Sequence, residues 1–199
     1  MQSRGFTLIE LLVILTISAI LVAMAVPMFT TMIHSNRISS ATNAFLAGLD
    51  LARSEAIRRA TIVTICRSVN PAAVNPECST AAAGGYAGDD WASGWIAFAK
   101  APGNGINGTV QAGDEVFLAQ DAFQPGASQR VMLESNLAAQ AVSFNARAIR
   151  EGGAFGMTLV ADHRDTSEMT WTNLARCVVV NVTGRPRVAR TTAGVCNPD

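Results

Sequence analysis

The stretch Leu11 to Ile33, LLVILTISAILVAMAVPMFTTMI, carries no charged side chain. Wound as a helix, it is long enough to cross a hydrocarbon core of about 30 Å, so a membrane span is expected. Ahead of it stand Met1-Gln2-Ser3-Arg4-Gly5 and then Phe6 to Glu10. The positive charge of Arg4 favours keeping that end on the cytoplasmic side and translocating the rest. Hydrophobic residues make up 49% of the chain and charged residues 15%, and the apolar excess is concentrated at this end. Two fates are open to such a segment. It can stay as an anchor, or Ala23-Met24-Ala25 can serve as a signal-peptidase site and release a soluble periplasmic binding protein beginning at Val26.

Glu10 weighs against release. A carboxylate in an apolar segment costs roughly 2.5 to 3.5 kcal/mol at mid-membrane, and a discarded signal peptide has no use for one. The run Arg4-Gly5-Phe6-Thr7-Leu8-Ile9-Glu10-Leu11 resembles the type IV prepilin signature. The resemblance implies that prepilin peptidase cuts between Gly5 and Phe6 and that the new amine of Phe6 is methylated. It also implies that the apolar segment persists as inner-membrane anchor and filament core. Glu10 would then lie near the Phe6 amine of a neighbouring subunit, a pairing that relieves the desolvation of both groups.

Beyond Pro27, where a kink or loosening is expected, Ile38, Ala41, Phe45, Leu49, Ala52 and Ala56 recur at three- and four-residue spacing. That is the stripe of an amphipathic helix packing on a domain. The expected helix runs over 6–60, with its transmembrane part at about 6–33. After Ala60, β-branched and aromatic runs punctuated by Gly, Pro, Asn and Asp predict strands. They fall at Thr61 to Cys66, Gly94 to Ala99, Glu115 to Ala119, Arg130 to Leu133, Ala141 to Phe144, Phe155 to Val160 and Arg176 to Val182. The fold class is α+β, with antiparallel sheets laid on the helix. The expected divisions are a leader at 1–5, the helix at 6–60, and a β-rich domain at 61–199 ending in an Arg-bearing tail.

The four cysteines, Cys66, Cys78, Cys177 and Cys196, lack the close spacing of a zinc knuckle. Of three possible connectivities, Cys66 with Cys78 and Cys177 with Cys196 is preferred, because each closes a short Gly-, Pro-, Asn- or Thr-bearing loop. Disulfides place the domain outside the cytoplasm.

Several stretches resemble the GspH/FimT family of minor pilins and pseudopilins. They are Thr64-Ile65-Cys66-Arg67-Ser68, Asp90-Trp91-Ala92-Ser93-Gly94-Trp95-Ile96-Ala97-Phe98, Ser143-Phe144-Asn145-Ala146-Arg147 and Arg176-Cys177-Val178-Val179-Val180. One departure is Ala148, where the family often has glycine. The resemblance implies the type IV pilin-like fold, with a single-pass inner-membrane subunit whose domain faces the periplasm. After assembly the subunit would sit in an extracellular pilus. Its implied partners are other pilins, the assembly machinery and prepilin peptidase. An H-type pseudopilin of a type II secretion system shares that architecture.

No enzyme, cofactor or metal site is expected. His34 and His163 read as solvated, Asp162, His163 and Asp165 lack a nucleophile motif, and Asp89-Asp90 and Asn104 to Asn107 do not reproduce a calcium loop. The formal net charge is zero, so polyanion binding requires a local cluster. Thr183-Gly184-Arg185-Pro186-Arg187-Val188-Ala189-Arg190 supplies one. If extended, Arg185 and Arg187 share a face, and guanidinium forks suit phosphates. An arginine-bearing edge strand that blocks edge pairing, or a solubilising tail, fits equally. Gly184-Arg185-Pro186-Arg187 resembles the Gly-Arg-x-Arg element of FimT-like pilins, which implies binding of double-stranded DNA for natural transformation through Arg185, Arg187 and Arg190.

Overall fold

The structure is a computed structural model and describes residues 7–105, 108–123, 131–135, 141–151, 155–161, 175–190 and 196. It divides into two units, Met1–Asn36 and Arg37–Asp199, and each is taken by itself.

A single helix, α1, runs Leu8–Arg59. Thr7 caps its start, accepting from the Glu10 backbone N–H through Oγ1 at 3.3 Å and from the Leu11 N–H through its carbonyl at 3.2 Å. Ala60 ends it in the left-handed region, at φ 50°. Within the second unit, the expected stripe of Ile38, Ala41, Phe45, Leu49, Ala52 and Ala56 is at most 1% exposed.

Nine strands follow among the described residues: β1 Val63–Arg67, β2 Gly94–Ala99, β3 Glu115–Asp121, β4 Val131–Ser135, β5 Ala141–Phe144, β6 Arg150–Glu151, β7 Phe155–Ala161, β8 Arg176–Val180 and β9 Pro186–Arg190. They form two antiparallel sheets, ordered β3-β2-β1-β5-β6 and β4-β7-β8-β9. The α+β class is observed. β1 is displaced two residues from the expected start, because Ala60 to Ile62 turn the chain out of the helix. β8 stops at Val180 because Asn181 opens a turn.

β1 shows why its sequence is a central strand. Val63 and Ile65 enter the main core with the helix stripe, while Cys66 packs on the opposite face with Ile96 and Phe98. Both faces are covered, so every residue of the strand is buried. Thr64 is accommodated because its hydroxyl pairs with that of Ser143 at 2.8 Å. The second sheet contributes Leu133, Met157, Leu159, Val178 and Val180 to the same core, and Cys177 and Val179 to a smaller cluster on its outer face.

At the centre, Phe45 meets Trp91 and Trp95 edge-on, with centroids at 5.6 and 5.4 Å. Gly48 lets Trp95 lie against the helix, since a Cβ there would stand 3.2 Å from its indole nitrogen. Trp91 belongs to a 3-10 turn, Trp91–Ser93, capped by Asp90, whose Oδ1 accepts from Ala92 N–H at 2.9 Å and Leu133 N–H at 3.0 Å. One buried carboxylate thereby links this turn to β4. Disulfides join Cys66 to Cys78 and Cys177 to Cys196.

Candidate functional site

Two surfaces stand out, one apolar and one cationic. Leu8–Ala25 has a mean hydropathy of 2.7, and none of it is buried within the chain. Leu8, Ile9, Leu12, Leu15, Ile20 and Leu21 are all at least half exposed. Thr16 is neutralised locally, its hydroxyl donating to the Val13 carbonyl at 2.8 Å. Glu10 stands exposed in the first turn of this segment. Thr7, three residues before it, supplies the helix cap through its hydroxyl. Gly5 and Phe6 lie outside the described residues.

The cationic surface is built on β9. Its register sets Pro186 opposite Val180, Arg187 opposite Val179 and Arg190 opposite Arg176. Pro186 opens an edge strand, a position where its missing N–H is tolerated. The preceding turn is fixed by Asn181. Its carbonyl accepts from Gly184 N–H at 2.9 Å, and its Oδ1 accepts from Arg185 N–H at 3.1 Å and the Thr183 hydroxyl at 2.7 Å. Arg185 and Arg187 are exposed. The side chain of Arg190 lies outside the described residues. On the face of Arg187, Val179 and Cys177 pack with Cys196, so the second disulfide backs this side of the sheet.

Gly184 also presses this turn onto the β5–β6 hairpin. A Cβ there would come within 2.1 Å of the Ala148 carbonyl oxygen. Ala148 has φ 58°, so the turn takes a conformation native to glycine although its residue is alanine. The Ala148 carbonyl accepts from Arg53 Nε at 3.3 Å, and Arg150 N–H donates to the Val182 carbonyl at 3.3 Å.

A family model described as type II transport protein GspH matches residues 41–184. The chain belongs to the GspH family. A second model, the prokaryotic N-terminal methylation motif, matches residues 1–26. Among solved structures, the chain is similar to the type IV minor pilin FimU of Pseudomonas aeruginosa strain PAO1. In one crystal form the identity is 15%, covering 81% of this chain and 93% of that one, with TM-score 0.44. In another the identity is 14%, covering 80% and 96%, with TM-score 0.41. No curated protein matches.

As a GspH-family member the protein is a structural subunit rather than an enzyme, a minor pilin or pseudopilin of a type IV pilus or type II secretion system. The methylation motif and the apolar helix fit an inner-membrane prepilin with a periplasmic domain. Its family implies other pilins, assembly machinery and prepilin peptidase as partners. The GspH match ends at Gly184, so Arg185, Arg187 and Arg190 lie past it.

The remaining candidate residues resolve differently. His34, expected in solvent, is 3% exposed. Asp162, His163 and Asp165 lie outside the described residues. Asn104 belongs to a polar clamp rather than a solvated loop, donating to the Asp114 carboxylate at 2.7 Å. That carboxylate also accepts from Ala101 N–H, Gln111 N–H and Lys100 Nζ. The Lys100 and Asp114 side chains are almost wholly enclosed, at 1% and 0% exposure. Among the described residues, no group of His, Cys, Asp and Glu could hold a metal.

Proposed function

We propose that this GspH-family protein is a minor type IV pilin placed near the filament tip, and that its β9 edge contacts double-stranded DNA during natural transformation. The observation that carries the DNA reading is the exposed pair Arg185 and Arg187 on and beside an edge strand of a chain with zero net charge. Neither makes an ion pair among the described residues. Arginine forks bind phosphate oxygens bidentately, and such contacts are sequence-independent and weaken steeply with salt. The subunit role rests on the uncovered apolar face of Leu8–Ala25, which lipid covers before assembly and neighbouring helices cover after it. Glu10 then pairs with the Phe6 amine of the next subunit.

Full-length protein in detergent, titrated against labelled duplex at several salt concentrations, tests the DNA role. Replacing Arg185, Arg187 and Arg190 with Ala is expected to lower affinity and flatten the log–log salt slope by about two to three. An unchanged titration removes the DNA role and leaves the pilin role standing.

The match to type II transport protein GspH supports a second reading, a pseudopilin of a secretion system. Deleting the gene separates the two. Loss of pili or transformation supports the first, and retention of exoproteins in the periplasm supports the second.

A further inference from the structure

Two arginines of the globular unit are buried, and the fold treats them differently. Arg67, at 0% exposure, donates through Nε to the Asp90 carbonyl at 2.8 Å and through Nη1 to the carbonyls of Ser79 and Ala81, both at 2.9 Å. Its Nη2 is enclosed without an acceptor, but Nε and Nη1 are satisfied by three carbonyls. Arg150, at 5% exposure, has Nε and Nη1 enclosed and no acceptor for either. Burial pushes both guanidinium pKa values down. Asp90 and Asp89 pull that of Arg67 back up, and among the described residues no carboxylate does so for Arg150.

The neighbouring acid does not help. Glu151 pairs with Ser143 in the register while Arg150 pairs with Phe144, so the two side chains leave opposite faces of the sheet. Glu151 already accepts from Asn145 Nδ2 at 2.8 Å. The elements around the position carry further arginines instead. Arg53 is tied to the Ala148 carbonyl, Arg147 is exposed on the same hairpin, and Arg185 follows the glycine pressed against that hairpin. Arg53, Arg147, Arg150 and Arg185 make no ion pair among the described residues, whereas Arg58 and Arg59 on the helix are paired with Glu55 and Glu115. An enclosed, unpaired guanidinium is costly unless an anion completes it.

We infer that Arg150, flanked by Arg53, forms an oxyanion pocket that takes one phosphate group at the root of the arginine strand. The chemistry is shared by free phosphate and by a backbone phosphate of a nucleic acid, and the second source rests on the DNA reading above. In that case the strand phosphate seats at Arg150, and Arg185 and Arg187 meet its neighbours.

The test compares wild-type full-length protein in detergent with Arg150→Met and Arg150→Lys, at constant ionic strength with and without inorganic phosphate. Wild-type Tm is expected to rise by about 5 to 10 °C at phosphate 100-fold above its Kd. Arg150→Met, which removes an unpaired charge and keeps the volume, should melt at or above wild type without phosphate and show no rise. Arg150→Lys should keep the fold and most of the charge but lose the fork, leaving a smaller rise. In duplex titrations Arg150→Met should weaken binding roughly 10- to 100-fold. A wild-type Tm indifferent to phosphate, or an Arg150→Met chain melting well below wild type, overturns the pocket. If phosphate stabilises through Arg150 but wild type binds no duplex, the pocket stands and the DNA reading falls. If duplex binding needs Arg185 and Arg187 yet is untouched by Arg150→Met, and phosphate has no effect, the reverse holds.

Discussion

Gly184→Ala isolates the contact that joins the β8–β9 turn to the β5–β6 hairpin. The wild-type residue is buried with φ 75°, where an L-residue with a Cβ is strained by about 1 to 2 kcal/mol. The new methyl would also meet the Ala148 carbonyl oxygen at 2.1 Å, its carbon at 3.2 Å and the Arg150 nitrogen at 3.3 Å. All three are backbone atoms, so no rotamer change relieves the clash and the hairpin itself must move. Overpacking of this kind costs about 1 to 3 kcal/mol. The total, near 3 kcal/mol, corresponds to a fall in Tm of roughly 6 to 12 °C for a cooperative unit of this size. Thermal melting of full-length wild-type and variant protein in the same detergent, followed by circular dichroism, measures it. A Tm within about 2 °C of wild type would refute the argument, because even complete relief of the clash leaves the backbone strain.

Three further outcomes are expected. Phe45→Ala, which empties the space between two tryptophans at 0% exposure, should cost about 3 to 5 kcal/mol by denaturant titration. Burial pushes the Asp114 carboxyl pKa up, but hydrogen bonds from Ala101 N–H, Asn104, Gln111 N–H and Lys100 outweigh it and hold the value at about 2. A depressed folded value means stability that is complete above the unfolded pKa of 3.8 and is lost as pH falls toward 2. Melting of Asp114→Asn should therefore depend less on pH in that window than wild type does. Lys100 is the only lysine and its side chain is enclosed, so an amine-reactive reagent should spare it in native protein and modify it after unfolding, as peptide mass mapping would show.

The helix was legible because its stripe repeats over several turns, and every residue of that stripe is in the core. Strands with β-branched residues, such as Val63–Arg67 and Arg176–Val180, were legible for the same reason, with ends off by about two residues. β6 has only two residues, Arg150 and Glu151, too few to make a pattern. β9 was open to a tail reading because Pro is a poor strand former, although Asn181 and Gly184 carried a turn signal. Long-range polar pairings had no local signature. Nothing near Arg67 announced the carbonyls of Ser79 and Ala81, and Asp114 is brought to Lys100 only by the closing of its loop. Arg150 could not be distinguished in the sequence from the exposed Arg147, since burial is decided by the alternation of a strand that was itself hidden.

The placement of the covalent links has a mechanical meaning. The Cys66–Cys78 bond lies on the outer face of one sheet, and the Cys177–Cys196 bond on the outer face of the other. Neither bond stitches sheet to sheet, and neither reaches the helix. Under tension, the seam between Arg37–Arg59 and the sheets is held by non-covalent contacts alone, the packed stripe together with the Arg53–Ala148 hydrogen bond and the Arg59–Glu115 ion pair. Oxidation therefore toughens each sheet's outer wrapping while leaving that seam free to shear.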